Sequence, residues 1–535
     1  MIGSRCVLLL EPLRPLFLGV IVFFLFACVP ATAQIPPQQD PLAQMQARAA
    51  GAQTCAVDRL SCEENAAKVI AAVMGPSPLA ESLRKLTDEI GGRVPGTEAN
   101  RRGVAWAVDA FRQAGADKVW TEKFTMPASW SEGATRLEVK SAAPFAARAV
   151  SITWAPATPV GGMEAPVVDI GDGSEAAFAR AGRHTRGALL LVHSGVLRTW
   201  ADLFTEYANA PPIIERALKA GAAAILWTST REQGLLYRHQ NSFDGTIDRI
   251  PQALVAREDA LKIARAIASQ SAAGQPLRAT LELPNRIGGP FEVENVFAEI
   301  RGSDKAAEIV MLGAHLDSWE LGTGALDNGC NSALVVEAAR AIRASGVKTR
   351  RTLRFALWNG EEQGLLGSWA YARAHRAELD HHVAYVNFDG GIGRVTGYSL
   401  GGRPEIEDAV REVLRPIEVW GMNRHTLDVS GGTDHIDFLL EGVPTLSANQ
   451  NEGNYIVNYH ASSDTFDKVD IRELKLHTAY AAVTLVGIAN RDLPLGKRQS
   501  RAEVEALLRD TGFEKMMRDF GMWTQWSRGE RGRLP

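Results

Sequence analysis

The chain has 535 residues, of which 46% are hydrophobic and 22% are charged, and its formal net charge is −4. This length exceeds what one hydrophobic core organises, so we expect two or three domains with the composition of an ordinary soluble globular protein. The small negative charge, with no long basic run, gives no reason to expect nucleic acid or an anionic membrane as a partner.

The N-terminus predicts export. Arginines precede an apolar run at 16–29, which is too short to cross a bilayer, and a small-x-small sequence ends at Ala33. This arrangement is typical of a signal peptide over 1–33, so we expect a secreted or periplasmic protein. The alternative is a lipoprotein box that ends at Cys28, and we expect membrane association only if that cysteine is lipidated.

An N-terminal arm with weak periodicity follows at 34–78 and contains two of the remaining cysteines. Cys55 and Cys62 are seven residues apart, and in an oxidising compartment this spacing favours a small-loop disulfide, with two free thiols as the alternative. Cys330 is interpreted as a small apolar residue that opens a helix rather than as a metal ligand.

Clear periodicity begins after residue 78. Apolar residues three or four positions apart predict a helix over 79–90 and a second helix over 98–115, and a strand is predicted over 118–124. We assign these elements to the first part of the main domain, at 79–126.

The segment 127–286 has a different texture, with short β-type stretches and turns rich in alanine and glycine. Buried strands are predicted at 187–192 and 221–227, with a helix at 213–220 between them. The sequence of this segment contains no candidate metal cluster and interrupts the pattern on either side of it. We therefore predict an inserted, β-rich accessory domain.

Strands and helices then alternate through the segment 287–492. Strands are predicted near 296–300, 307–314, 352–358 and 383–388, with helices such as 332–345 and 364–376 between them. This alternation predicts an α/β domain with a mainly parallel sheet. The C-terminal tail at 493–535 is predicted to form one amphipathic helix, over 501–520, that packs on the body.

Metal-binding side chains follow three of these predicted strands. His315 ends one strand, the pair Glu361 and Glu362 follows the next, and Asp389 follows the third. In an open parallel sheet the ligand crevice lies outside the carboxyl ends of the strands. The three strand ends therefore predict one shared site.

Two further residues, Asp327 and His460, enlarge this candidate set to five. Each residue alone has an ordinary structural explanation; Asp327, for example, would cap a helix well. Two imidazoles and three carboxylates together suit zinc or another borderline divalent ion. Five protein ligands exceed what one open catalytic zinc takes and fit two ions that share a carboxylate.

Two neighbouring carboxylates complete the chemistry of the predicted site. Glu361, adjacent to the ligand Glu362, can stay unligated and accept a proton from water as the general base. Asp317, two residues beyond His315, can hydrogen-bond that imidazole and select its tautomer.

Five motifs in this order resemble the co-catalytic di-zinc aminopeptidase family. They are His315-Leu-Asp-Ser-Trp, Gly324-Ala-Leu-Asp-Asn-Gly, Trp358-Asn-Gly-Glu-Glu-Gln-Gly-Leu-Leu-Gly-Ser, Asn387-Phe-Asp-Gly and Tyr459-His-Ala-Ser-Ser-Asp-Thr. The resemblance covers about 79–490, and within the family the chain is most similar to the carboxypeptidase Q (plasma glutamate carboxypeptidase) branch.

The resemblance implies a mainly parallel, mixed sheet sandwiched by helices, of the zinc exopeptidase type, with a protease-associated domain inserted. It implies two Zn²⁺ ions per chain, although other divalent ions stay open. His315 and Asp389 would hold one ion, Glu362 and His460 would hold the other, and Asp327 would bridge them.

Other positions are carried over with smaller roles. Where the family often has an acidic residue joined to the bridging aspartate by a cis peptide, this chain has Asn328. The loop that contains Asp434 and His435 resembles one near the substrate, which implies a supporting role for these two residues at most.

The sequence therefore predicts an exported metallo-exopeptidase, an aminopeptidase or dipeptidase similar to carboxypeptidase Q, that acts on short peptides. A homodimer stays open, and the substrate side-chain preference is left undecided. The alternatives are an acyltransferase of the glutaminyl cyclase type, which uses one zinc ion, and a non-catalytic, receptor-like member of the fold.

Overall fold

The computed structural model describes residues 59–534. The predicted signal peptide at 1–33, Cys28 and the Cys55 half of the predicted disulfide lie outside these residues. Within the described part of the chain, no helix has the length and apolar character needed to cross a membrane.

The described residues contain 17 strands. In chain order they are β1 (Lys118–Met126), β2 (Ser129–Ser131), β3 (Arg136–Lys140), β4 (Phe145–Ala147), β5 (Ala149–Ser151), β6 (Met163–Asp169), β7 (Leu189–Val192), β8 (Ala224–Thr228), β9 (Gln252–Val255), β10 (Arg278–Glu282), β11 (Arg286–Gly288), β12 (Phe291–Ile300), β13 (Lys305–His315), β14 (Arg351–Trp358), β15 (His382–Asn387), β16 (Val395–Ser399) and β17 (Thr445–Gln450).

The same part of the chain contains 15 α-helices. They are α1 (Arg59–Met74), α2 (Leu79–Arg84), α3 (Glu98–Gln113), α4 (Glu175–Ala181), α5 (Trp200–Ala220), α6 (Arg257–Ala272), α7 (Cys330–Ser345), α8 (Leu366–Ala374), α9 (Glu407–Leu414), α10 (His435–Leu440), α11 (Tyr455–Asn458), α12 (Ile471–Asn490), α13 (Arg501–Asp510), α14 (Phe513–Asp519) and α15 (Met522–Ser527).

The main sheet has seven strands in the order β1-β12-β14-β13-β15-β17-β16. The four strands β14, β13, β15 and β17 run parallel, and antiparallel strands flank them on both sides. This arrangement confirms the predicted α/β fold with a mainly parallel, mixed sheet.

Helices cover both faces of this sheet. Alternate residues of β13 enter two separate cores, with Leu312 in one and Met311 in the other, because successive side chains of a strand point to opposite faces. Helices α7 and α12 pack over the first face, and α8 and α10 lie over the second. Burial on both faces explains why these strands are continuous apolar runs.

The predicted accessory segment contains its own eight-stranded sheet, in the order β4-β3-β10-β6-β7-β8-β9-β5. Its apolar side chains form clusters apart from the main core, and three helices, α4 to α6, accompany the strands. The chain leaves the main sheet after β1 and returns at β12, and these two strands pair directly. A short ribbon of β2 and β11 joins the entry and exit points. Its assignment as a protease-associated domain stays a prediction.

Two predicted helices were wrong in extent. The helix predicted at 213–220 is the C-terminal part of α5. Helix α5 begins at Trp200, where Thr199 and Asp202 form a capping box. Because prolines disfavour the interior of a helix, the two internal prolines kept its first half from being predicted. The tail forms three short helices instead of one, since Gly512 and Gly521, with φ of 71° and 76°, separate them. The tail packs on the body, as predicted.

Candidate metal centre

The parallel strands bring the three predicted strand ends to one edge of the sheet. His315 is the last residue of β13, Glu361 and Glu362 follow β14, and Asp389 follows β15. Strands β14 and β15 are the two neighbours of β13. The carboxyl ends of all three strands therefore open into the same crevice, as the sequence predicted.

Asp327 and His460 reach this crevice from irregular backbone. Asp327 lies in a turn before α7, and the peptide bond between Asp327 and Asn328 is cis. His460 follows α11 and has a φ of 57°, a conformation that non-glycine residues rarely adopt. Neither position is the end of a strand.

The five side chains form two pairs that meet at one carboxylate. His315 Nε2 lies 3.1 Å from Asp389 Oδ1 and 3.1 Å from Asp327 Oδ1. His460 Nε2 lies 2.9 Å from Glu362 Oε2 and 3.3 Å from Asp327 Oδ2. The two oxygens of Asp327 thus face different histidines, which is the arrangement expected of a bridging ligand.

Without cations, burying these charged side chains costs free energy. Asp327, Glu362 and His460 are each at most 4% exposed. Asp327 Oδ2, Glu362 Oε1 and His460 Nε2 have no hydrogen-bond partner among the described residues. Buried charges in proteins are paired or coordinate metals, and atoms of His315, Asp327 and Glu362 lie close enough together to share one ion. The donor set therefore fits divalent metal ions.

The main chain orients the first imidazole. His315 Nδ1 donates to the backbone carbonyl of Asp317 over 2.9 Å, whereas the nearer carboxylate oxygen of Asp317 is 3.7 Å away. That carboxylate instead accepts weak hydrogen bonds, at 3.4 Å, from the backbone N–H groups of Glu361 and Glu362. Asp317 thus connects the β13 end to the Glu-Glu turn and leaves His315 Nε2 free to bind metal.

Glu361 lies beside the two pairs and is 8% exposed. Its Oε2 atom is 4.0 Å from His315 Nε2. Burial and the negative charges of Asp389 and Glu362 raise the pKa of Glu361 well above its usual range, against the opposing effect of His315. A carboxyl group with a raised pKa next to a metal cluster is suited to receive and return a proton.

Comparisons with known proteins relate the chain to a peptidase family. Residues 295–485 match the model of peptidase family M28. Carboxypeptidase Q from Mus musculus is 26% identical over 415 residues, which is 77% of this chain and 86% of that protein. Residues 295–485 are therefore similar to peptidase family M28, and the chain is a zinc exopeptidase similar to carboxypeptidase Q.

Solved structures agree with this similarity. A peptidase M28 precursor from Shewanella amazonensis superposes with a TM-score of 0.74 at 27% identity, over 82% of this chain and 99% of that one. The zinc aminopeptidase BSAP from Bacillus subtilis, at 20% identity, has a TM-score of 0.59 over 76% of this chain and 93% of its own, and shows the same fold. The predicted resemblance is therefore confirmed.

Two further residues, which the sequence did not single out, support the backbone around this site. The Asp464 carboxylate accepts hydrogen bonds from the backbone N–H groups of Ala325, Leu326 and Asp327, at 3.0, 2.6 and 3.1 Å. The fully buried Arg93 guanidinium donates to the backbone carbonyls of residues 91, 316, 323 and 324. Asp464 belongs to the motif that begins at Tyr459, but the N–H groups that it binds lie in the turn at 325–327, far away in the sequence.

Asp434 and His435, which were predicted to support the substrate loop, are buried and do not line the cavity. Asp434 and His435 are at most 1% exposed, and the cavity in front of the metal cluster is lined by residues 428–433 instead. His435 Nε2 donates to the carbonyl of Ser430 over 3.0 Å, so His435 supports the loop. The supporting role of Asp434 stays a prediction.

A residue of the accessory segment orients the second imidazole. His460 Nδ1 donates to the backbone carbonyl of Arg238 over 3.2 Å, and the Arg238 N–H donates back to the His460 carbonyl over 2.9 Å. The Arg238 side chain, 2% exposed, forms ion pairs with Glu132 and Glu320. The accessory segment therefore directs His460 Nε2 towards Asp327 and Glu362.

We expect Arg238→Ala to weaken zinc binding by about 10- to 100-fold, the usual effect of losing a partner that orients a ligand. The substitution removes the counter-charge of Glu132 and Glu320, which loosens the backbone that holds His460. Competition with a chelator measures the zinc dissociation constant. Arg249→Ala is the matched control, because its ion pair with Glu215 is exposed. Unchanged zinc affinity in folded Arg238→Ala protein would contradict this role.

Proposed function

We propose that the protein is an exported metallo-exopeptidase that hydrolyses short peptides or dipeptides with two zinc ions and Glu361 as the general base. The observation that carries this proposal is the placement of Asp327 between two histidine–carboxylate pairs. These residues line one cavity of about 660 Å³, a size typical of small-ligand sites.

The chain's own residues have separate parts in this reaction. His315 and Asp389 would hold one ion, Glu362 and His460 the other, and Asp327 both. When bound, two such ions polarise the scissile carbonyl and lower the pKa of the attacking water.

Glu361 transfers the proton from the water to the leaving group. Its carboxylate accepts a proton from the water as the new C–O bond forms, and returns it to the leaving nitrogen as the C–N bond breaks. The products are a carboxylic acid and an amine, which ionise to a carboxylate and an ammonium group, and Glu361 ends in its starting state. The buried position of Glu361 beside the cluster supports this assignment.

Export rests on the N-terminal pattern alone. A positive stretch, a short apolar run and a small-x-small sequence ending at Ala33 support a signal peptide. A secreted or periplasmic location follows, with a lipid anchor at Cys28 as the alternative. Mass spectrometry of the mature N-terminus distinguishes a chain that starts at Gln34 from one that starts at a lipidated Cys28.

Dipeptides and N- or C-blocked peptides, assayed with and without chelator, test the activity. We expect unblocked short peptides to be cleaved, chelator to abolish cleavage and zinc to restore it, with two ions per chain by metal analysis. Cyclisation of N-terminal glutaminyl peptides with one bound ion would instead support the acyltransferase. Two bound ions without turnover of any peptide would support the receptor-like alternative.

A further inference from the structure

The candidate metal ligands line one end of the cavity, and apolar side chains line the other end. This apolar end is formed by residues from three parts of the chain: helix α5, the loop before β9 and the C-terminal tail. We call these residues the tail-side subsite, and they are Phe204, Tyr207, Phe243, Met516 and Phe520. Met516 and Phe520 lie beyond the matched segment 295–485.

Aromatic contacts hold this subsite together. The Phe520 ring centroid lies 5.0 Å from that of Phe243, 5.9 Å from that of Tyr207 and 6.5 Å from that of Phe204. Such distances are typical of favourable aromatic pairs. Phe204, Phe243 and Phe520 remain only half-buried, so part of each ring faces the open cavity.

The subsite is continuous with the metal cluster. The Tyr207 hydroxyl hydrogen-bonds the Tyr459 hydroxyl over 3.1 Å, and the Tyr459 ring stacks on His460 with 3.6 Å between centroids. A ligand that reaches the metal ligands therefore also reaches the apolar wall. This continuity favours part of the substrate as the occupant.

The tail is anchored firmly enough to form a wall. Arg531 makes two hydrogen bonds to Asp437 of α10, at 2.7 and 2.8 Å, and both side chains are at most 1% exposed. Trp526 is also buried, in a cluster with residues of α10. A side chain at Gly431 would collide with Met516, so the tail packs directly against the loop that lines the cavity.

We propose that the tail-side subsite binds a large apolar side chain of the peptide substrate and makes the enzyme selective for it. This inference rests on the proposed peptidase function and adds its substrate class. Apolar side chains gain free energy in proportion to the area that they bury. We therefore expect leucine and phenylalanine to be preferred over alanine by about tenfold or more.

The test compares Phe520→Ala and Phe204→Ala in the zinc-loaded full chain. Phe145→Ala is the matched control, because Phe145 is a half-buried phenylalanine on β4, under Lys262 and outside the cavity lining. Calorimetry measures binding of L-phenylalanine, L-leucine and L-alanine, and kcat/KM is measured for dipeptides that contain each residue. Phe204→Ala leaves the tail intact, so the test stands even if Phe520→Ala protein is unstable.

We expect both cavity variants to lose at least about tenfold of the preference for large side chains, with alanine little affected, while the control keeps the wild-type ratio. An unchanged ratio in folded Phe204→Ala and Phe520→Ala protein would overturn the subsite. Selective binding without any hydrolysis would refute the peptidase proposal but keep the subsite. Hydrolysis with no side-chain preference would refute the subsite but keep the peptidase proposal.

Discussion

Glu361→Gln is expected to lower kcat by about 10²- to 10⁴-fold while the metal content stays near that of the wild type, because the amide occupies the same volume but cannot accept the proton from water. The Glu361 side chain lies beside the candidate ligands, with its Oε2 atom 4.0 Å from His315 Nε2. Glu362 is closer to its histidine, with 2.9 Å between Glu362 Oε2 and His460 Nε2. Steady-state kinetics and metal analysis of the same preparation measure both effects.

The neighbouring substitution Glu362→Gln is the contrast for this prediction. Glu362 Oε2 contacts His460 Nε2 at 2.9 Å, so its loss should reduce the metal content as well as the activity. If Glu361→Gln protein turned over peptides at the wild-type rate, Glu361 could not be the base. If it lost metal as Glu362→Gln does, Glu361 would be a ligand.

Asp327→Ala is expected to lose metal and activity together. It removes the one carboxylate that both histidine pairs share, at 3.1 Å from His315 and 3.3 Å from His460. The two remaining pairs would each offer one imidazole and one carboxylate, fewer protein ligands than the three that a catalytic zinc ion usually has. Metal analysis after dialysis, together with peptide hydrolysis, measures the loss.

Asp109→Ala is a suitable control, because Asp109 on α3 is exposed and does not line the cavity. It should keep both ions and most of the activity. The melting temperature separates metal loss from unfolding, since the backbone N–H of residue 327 still has Asp464 as its acceptor. Asp327→Ala protein that retained two tightly bound ions would show that this residue does not bridge them.

The accessory segment has a structural part in the metal centre. The carbonyl of Arg238 accepts a hydrogen bond from His460, and the side chain of Arg238 ties that backbone to Glu132 and Glu320. His460 has a positive φ, and the carbonyl that accepts from its ring comes from outside its own turn. A segment outside the matched residues 295–485 thus completes the environment of one candidate ligand.

Much of the candidate site could be predicted from the sequence by itself. Buried parallel strands are apolar runs, so the point where each run ends in His315, Glu361 or Asp389 is visible without coordinates. Parallel pairing then requires those ends to meet at one edge. Asp327 and His460 entered the candidate set by the chemistry of their side chains, and the motif order supported them, although neither residue ends a strand.

Only the tertiary structure decided which distant residues support and enclose that site. The carbonyl of Arg238 reaches His460 across 222 residues, and Phe520 of the tail meets Phe243 at the cavity. Local periodicity reports which face of an element is apolar, but it does not report which other element covers that face. For that reason the sequence by itself determined the chemistry at the strand ends, whereas packing of separate segments decided the orientation of His460 and the apolar wall of the cavity.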